Sequence, residues 1–167
     1  MGLEIERKFL VKNDLWKADA QRGIPMLQGY ISATPVHTVR LRIAGDTGYL
    51  TLKGGHQGIS RKEFEYPVPV SDAREMFDLF CPIETRIVKT RYPVEVAGHL
   101  WTVDCFEGSN AGLVIAEIEL QREDEPFVMP EWAGVEVSGD GRYTNAALSF
   151  RPFKDWPENK IKEKSNT

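Results

Sequence analysis

The fold is decided by residues 3–11, which read Leu-Glu-Ile-Glu-Arg-Lys-Phe-Leu-Val. Residues two apart share a face in an extended strand, so Glu4, Glu6 and Lys8 point to the same side. The other face carries apolar side chains and one exception, Arg7. An amphipathic helix would instead repeat its apolar residues about every three or four positions. The stretch therefore predicts a β-strand with one charged face.

The same alternation predicts further strands along the chain. They cover Val39–Ile43, Tyr49–Lys53, Arg61–Val68, Arg86–Val94, Trp101–Phe106 and Leu113–Gln121, with an eighth over Met26–Ser32. Helices are predicted at Asp14–Ala20, Asp72–Phe80 and Asn145–Phe150, each of which follows an N-capping residue. Short links that contain Gly favour antiparallel hairpins between successive strands. The fold class is therefore mainly β (α+β), with a few helices outside an antiparallel sheet.

Composition limits the organisation of the chain. A length of 167 residues with 41% hydrophobic residues suffices for one core. We expect one domain over residues 1–153, with residues 154–167 as a basic tail or short helix of the same domain. The formal charge of −4 argues against nucleic-acid binding and charge-driven membrane attachment. Since the N-terminus lacks an apolar signal region, we expect a cytoplasmic protein.

The charges of the predicted strands are segregated by sign. Acidic pairs occur at Glu4/Glu6, Glu63/Glu65 and Glu117/Glu119, and basic pairs at Arg40/Arg42 and Lys89/Arg91. One interpretation is an ordinary sheet whose charged face lies in water and forms a ladder of ion pairs. The other is a closed sheet, whose interior would collect the charges around water, ions and an anionic ligand. The segregation by sign favours the closed sheet.

These residue types indicate phosphoryl chemistry. Paired carboxylates are the hard oxygen ligands that suit Mg²⁺ or Mn²⁺. Arg and Lys side chains match the oxygens of phosphate groups. A hydrated interior that holds both sets could bind a phosphate chain together with divalent cations.

The order of the charged segments resembles that of a known family. The segments are Glu4-Ile5-Glu6-Arg7-Lys8, Val39-Arg40-Leu41-Arg42, Thr51-Leu52-Lys53, Glu63-Phe64-Glu65, Lys89-Thr90-Arg91 and Ala116-Glu117-Ile118-Glu119. In this order they resemble the CYTH, or triphosphate tunnel metalloenzyme, family, and in particular its short single-domain members that are similar to inorganic triphosphatases. The resemblance covers about residues 3–153. It implies a closed eight-stranded antiparallel β-barrel, or tunnel, with helices packed outside.

The resemblance also implies roles for individual residues. The triphosphate would be held by Lys8, Arg40, Arg42, Lys53, Arg61, Lys89 and Arg91. One or two Mg²⁺ or Mn²⁺ ions would be bound by Glu4, Glu6, Glu63, Glu65, Asp104, Glu117 and Glu119. We predict Glu4, Glu6, Lys8 and Tyr30 as catalytic, although a buried Tyr30 could serve packing alone.

The expected function is metal-dependent hydrolysis of inorganic tripolyphosphate to pyrophosphate and phosphate. The same apparatus would serve a class IV adenylyl cyclase or a thiamine triphosphatase, which need an additional pocket for the organic group. A non-enzymatic polyphosphate- or nucleotide-binding module would keep the bases but would not need the metal carboxylates. An interaction domain with an exposed charged sheet would bind neither phosphate nor metal. The expected partner is a small anionic substrate, and the sequence leaves a homodimer open.

Overall fold

The computed structural model describes residues 2–159, and the chain there is built mainly from β-strands. The strands are β1 (Gly2–Val11), β2 (Ile24–Ala33), β3 (His37–Ala44), β4 (Thr47–Gln57), β5 (Ser60–Val68), β6 (Ile87–Val96), β7 (His99–Phe106), β8 (Val114–Glu119) and β9 (Ala133–Glu136). The α-helices are α1 (Val70–Phe80) and α2 (Asn145–Phe150). Within residues 2–159, no helix is both long and apolar enough to cross a membrane.

Strand β1 closes the sheet into a barrel. It pairs with β8 along residues 6–10 and with β5 along residues 2–5, antiparallel in both cases. The remaining neighbours follow the order β5-β4-β3-β2-β6-β7-β8. The predicted closed eight-stranded antiparallel barrel is therefore confirmed. Strand β9 is not one of these eight strands. It pairs with the second half of β1, on the edge of β1 opposite to β8.

Two local features differ from the sequence predictions. The predicted helix Asp14–Ala20 is only a short 3-10 turn at Leu15–Ala18. Its Trp16 is buried against the barrel, so tertiary packing holds this segment in place of a regular helix. Strand β9 was not predicted, because four residues are too few to show an alternation.

The apolar faces of the strands point outward and are covered by other segments. Phe9 and Trp101 pack at a centroid distance of 5.5 Å, in a cluster that includes Trp132. Helix α1 covers Leu41 of β3 through its buried Phe77. The charged side chains, which alternate with these apolar residues along each strand, therefore lie inside the barrel, as the sequence predicted.

Helix α2 lies across one end of the barrel interior. Its Leu148 packs with Ile87, Phe106 and Ile115, all buried. By alternation these three positions share the inner faces of β6, β7 and β8, so they form an apolar plug at that end. Trp156 belongs to the same cluster. The predicted tail 154–167 thus begins as part of the core, and its residues 160–167 lie outside the described part of the chain.

Candidate active site

The barrel interior contains a charged cavity of about 720 Å³. Side chains of both signs line it: Glu4, Glu6, Lys8, Arg40, Arg42, Lys53, Arg61, Glu63, Glu65, Arg91, Glu117 and Glu119. Most predicted site residues are therefore brought together in one place. Exposed Leu3, Leu100 and Glu119 mark the open end, whereas Thr144, Asn145 and Ala146 at the start of α2 line the closed end.

Glu4 lies between two cations. Its Oε1 accepts a hydrogen bond from Lys53 Nζ at 2.8 Å, and its Oε2 accepts one from Arg61 Nε at 2.7 Å. Burial raises the pKa of Glu4, but the charges of Lys53 and Arg61 outweigh it and hold the pKa below its usual value. Glu4 is thus ionised and orients two of the predicted phosphate-binding side chains.

Arg40 and Arg42 share one carboxylate and keep unused donors. The Nη2 atoms of the two arginines lie 3.5 and 3.1 Å from Glu65 oxygens, and Thr51 Oγ1 also donates to Glu65 at 2.8 Å. The Nε atoms of both arginines are buried and have no hydrogen-bond partner within residues 2–159. A buried donor without an acceptor is unfavourable by about 1–3 kcal/mol. Each guanidinium therefore keeps one buried donor that no described residue satisfies.

Lys8 lies among carboxylates at the centre of the cavity. Its Nζ is 3.4 Å from Glu117 and 3.5 Å from Glu6. Burial lowers the pKa of Lys8, but Glu117 and Glu6 raise it further, so the net direction is upward. Lys8 therefore stays protonated and presents a positive charge to the cavity.

Glu6 differs from the other buried carboxylates. Burial and the charges of Glu117 and Glu4 raise its pKa above the usual value. Glu119, opposite Glu6 in the strand register, also has a raised pKa through burial and then through Glu4 and Glu63.

A divalent cation bound near Glu6 and Glu119 would relieve this excess of negative charge. The carboxylates offer hard oxygen ligands, which suit such a cation. No preformed group of three metal-ligating side chains occurs in residues 2–159, because several of these carboxylates contact Lys or Arg.

Asp104 and Lys89 lie on the inner faces of β7 and β6 but do not line the cavity. Asp104 is fully buried, and its oxygens accept hydrogen bonds from Lys89 Nζ at 2.7 Å and from Arg91 Nε at 2.7 Å. Burial raises the pKa of Asp104, but Lys89 and Arg91 hold it below its usual value. Neither Asp104 nor Lys89 lines the cavity, although both were predicted to contact metal or substrate. Arg91 does line it, and its Nη2 also donates to Glu117 at 3.1 Å.

Tyr30 faces the interior beside Arg40, its cross-strand partner. Burial raises the pKa of its hydroxyl above the usual value, with Arg40 and Lys8 acting in the opposite direction. The hydroxyl is thus protonated near neutral pH and can donate a hydrogen bond. Its predicted catalytic role stays a prediction.

Two polar residues of the interior were not assigned from the sequence. Gln28 shares the inner face of β2 with Tyr30, is 1% exposed, and its Nε2 has no partner within residues 2–159. The alternation that placed Tyr30 inside could have found it. Asn145 lines the closed end and accepts a hydrogen bond from Lys89, a contact that no sequence pattern indicates.

Arg7, the exception on the apolar face of β1, has an external role. Its Nε and Nη2 donate to the two carboxylate oxygens of Glu136, each at 2.7 Å. Its guanidinium also lies over the ring of Phe127, 5.0 Å from the centroid. This bidentate pair ties β9 to the barrel outside the cavity.

Known proteins resemble this chain over most of its length. An inorganic triphosphatase of Acetivibrio thermocellus is 47% identical over 158 residues, which are 95% of this chain and 100% of that protein. An inorganic triphosphatase of Nitrosomonas europaea is 36% identical over 154 residues, which are 88% of this chain and 97% of that protein. The crystal structure of the inorganic triphosphatase NE1496 has a TM-score of 0.64 and 34% identity, and covers 89% of this chain and 95% of its own.

The family model called CYTH domain matches residues 2–144, which include all nine strands and every charged residue of the cavity. The closed barrel, the charged interior and the sequence identities to triphosphatases all agree with that match. The chain therefore belongs to the CYTH domain family.

Proposed function

We propose that this protein hydrolyses inorganic tripolyphosphate to pyrophosphate and phosphate, with a divalent cation as cofactor. In this reaction water attacks a terminal phosphorus atom, one P–O–P bond breaks, and pyrophosphate leaves with the bridging oxygen. The observation that carries the proposal is a cavity in which Lys and Arg side chains of five strands converge with paired carboxylates. The relatives named inorganic triphosphatase support the choice of substrate.

The bases provide the binding energy for a phosphate chain. Lys8, Arg40, Arg42, Lys53, Arg61 and Arg91 line a cavity whose volume, about 720 Å³, is in the range of small-molecule sites. Arg40 and Arg42 supply positive charge and planar guanidinium donors, which favour an acceptor-rich anionic ligand. Since the bases already contact carboxylates, their side chains are held in position before the substrate arrives.

The carboxylates that face the cavity would hold Mg²⁺ or Mn²⁺. The candidate ligands are Glu4, Glu6, Glu63, Glu65, Glu117 and Glu119. A bound divalent cation supplies charge neutralisation at phosphoryl oxygens and a site for water. The metal role of Asp104 stays a prediction: Asp104 does not line the cavity, and its oxygens accept hydrogen bonds from Lys89 and Arg91.

Glu6 would orient the attacking water. It lines the cavity, and its Oε1 lies 3.5 Å from Lys8 Nζ and 3.6 Å from Arg61 Nη2. Lys8, which stays protonated, would stabilise negative charge on the phosphoryl oxygens during the reaction. Tyr30 would donate a hydrogen bond to the same region from the opposite wall.

The alternatives with an organic substrate fit the cavity less well. Binding of adenine or of the thiamine rings calls for a flat apolar pocket with aromatic contacts. Within residues 2–159, Tyr30 is the only aromatic side chain that lines the cavity. The exposed interaction sheet conflicts with the structure, because Lys8, Arg40 and Glu117 lie inside the barrel. A binding module would not need the carboxylate pairs that surround Lys8.

The test is a substrate panel of tripolyphosphate, ATP, thiamine triphosphate and pyrophosphate, each with Mg²⁺ or Mn²⁺. Release of phosphate and pyrophosphate from tripolyphosphate is expected, without formation of cyclic AMP from ATP. Glu6→Gln should reduce kcat by roughly 100-fold or more, since one preorganised group is lost. Glu75→Gln, on the exposed surface of α1, is the matched control and should stay active. An inactive wild type, or cyclic AMP as the main product, would contradict the proposal.

A further inference from the structure

Asn145 connects a buried cation to the closed end of the cavity. Its Oδ1 accepts a hydrogen bond from Lys89 Nζ at 3.1 Å, and the same ammonium donates to Asp104 at 2.7 Å. The Lys89 side chain is 1% exposed and does not line the cavity, whereas Asn145 does. Lys89 is therefore connected to two residues that line the cavity: to Asn145 directly, and to Arg91 through Asp104.

The charge of Lys89 fixes the orientation of the Asn145 amide. An ammonium carries three donors and no acceptor, so it can bond only the oxygen of an amide. A flipped amide would bring its own N–H groups against the ammonium. The Nδ2 atom must therefore point away from Lys89, and it has no hydrogen-bond partner within residues 2–159. Asn145 lines the cavity, so a ligand bound at this end would lie next to it.

The backbone around Asn145 is held on both sides. Thr144 Oγ1 accepts a hydrogen bond from Ala147 N at 3.1 Å and donates one to Gly141 O at 3.0 Å. Leu148 anchors the same turn in the apolar plug and is fully buried. The amide is thus presented from a fixed position, which is the requirement for a specific contact.

We infer that Asn145 is a substrate-binding residue that donates an Nδ2–H hydrogen bond to an oxygen of the terminal phosphoryl group of tripolyphosphate at the closed end of the cavity. Lys89 is then a positioning residue, which acts on the substrate through the Asn145 amide. This inference rests on the proposed function, because it requires the triphosphate to reach α2. The inference also explains why position 145 carries a neutral amide. An Asp there would bond Lys89 more strongly, but its negative charge would repel a polyanion.

Asn145→Asp separates this role from a structural one. The carboxylate still accepts from Lys89, and more strongly, but it removes both N–H donors and adds a negative charge. We expect a Tm equal to or above that of the wild type, and a decrease of roughly tenfold or more in kcat/KM for tripolyphosphate, mainly through KM. A wild-type KM in this variant would mean that neither the N–H donors nor the charge at position 145 acts on the substrate. That result would overturn the inference.

Two further variants complete the experiment. Asn145→Ala removes the donors without adding charge, so KM should rise here too, and an unchanged KM would overturn the inference even if Asn145→Asp did not fold. Asn13→Asp is the matched control, because exposed Asn13 accepts a hydrogen bond from Leu15 N that Asp can also accept. The wild type is assayed in parallel. An inactive wild type would overturn the proposed function, whereas an active wild type and a fully active Asn145→Asp would overturn the inference alone.

Discussion

Asp104→Asn is the most informative perturbation of the barrel interior. Asp104 is the single carboxylate that joins the Lys89 ammonium to the Arg91 guanidinium, through three hydrogen bonds of 2.7–2.8 Å. The substitution keeps the shape of the side chain but removes its charge and turns one oxygen into a donor. Two buried cations then lose their common counter-charge. Arg91 keeps Glu117 at 3.1 Å, and Lys89 keeps only the neutral amide of Asn145.

The expected loss of stability follows from burial. Removing one partner of a buried ion pair destabilises a protein by about 3–5 kcal/mol. The lower end, about 3 kcal/mol, applies because Asn retains one acceptor oxygen. For a domain of this size, about 1 kcal/mol corresponds to about 2–4 °C in Tm. The predicted decrease in Tm is therefore about 6–12 °C.

Thermal unfolding of the wild type and the variant measures this decrease. Asp124→Asn is the control, because Asp124 is 83% exposed and its contact with Arg122 is a surface ion pair, worth at most about 1 kcal/mol. A Tm of Asp104→Asn within about 2 °C of the wild type would refute the reasoning, since the ion triad would then contribute less than about 1 kcal/mol.

Three further predictions concern packing, pH and metal. Gly29→Ala should lower the free energy of unfolding, measured in urea, by about 1–3 kcal/mol, because the added Cβ would lie 2.8 Å from Cys81 atoms. Gly139→Ala is the control and should leave the free energy of unfolding unchanged, because its added Cβ would have no atom within 4 Å. Arg7 holds the pKa of Glu136 below its usual value, so this pair stabilises the protein at neutral pH and its contribution is lost as the pH falls through the lowered pKa. Glu136→Gln should therefore be less stable than the wild type near neutral pH, and the difference should shrink as the pH falls below the usual pKa of a glutamate; a difference that stays constant into acid would contradict this. EDTA should abolish phosphate release from tripolyphosphate and excess Mg²⁺ restore it, whereas hydrolysis in the presence of EDTA would exclude the metal requirement.

The sequence alone was sufficient for the eight strands of the barrel and for the assignment of their residues to faces, although it did not predict β9. Alternation is a property of neighbouring residues, so Glu4, Glu6 and Lys8 could be placed on one face without knowing the partners of β1. Strand ends differ by a few residues, because pairing extends β2 and β3 beyond the alternating segments. The predicted helix Asp14–Ala20 is shortened because packing of Trp16, and not local propensity, determines the backbone there.

Only the tertiary structure decided which charges meet and which end of the barrel is closed. Lys8 lies opposite Glu117, and Lys89 meets Asn145 across 56 positions of sequence. These contacts depend on strand register and on where α2 packs, both set by the combined burial of apolar side chains from distant segments. For the same reason Asp104, which the sequence pattern cannot distinguish from a cavity carboxylate, does not line the cavity, and its oxygens accept hydrogen bonds from Lys89 and Arg91. The sequence determined the inventory of charges, and the closure of the sheet determined their partners.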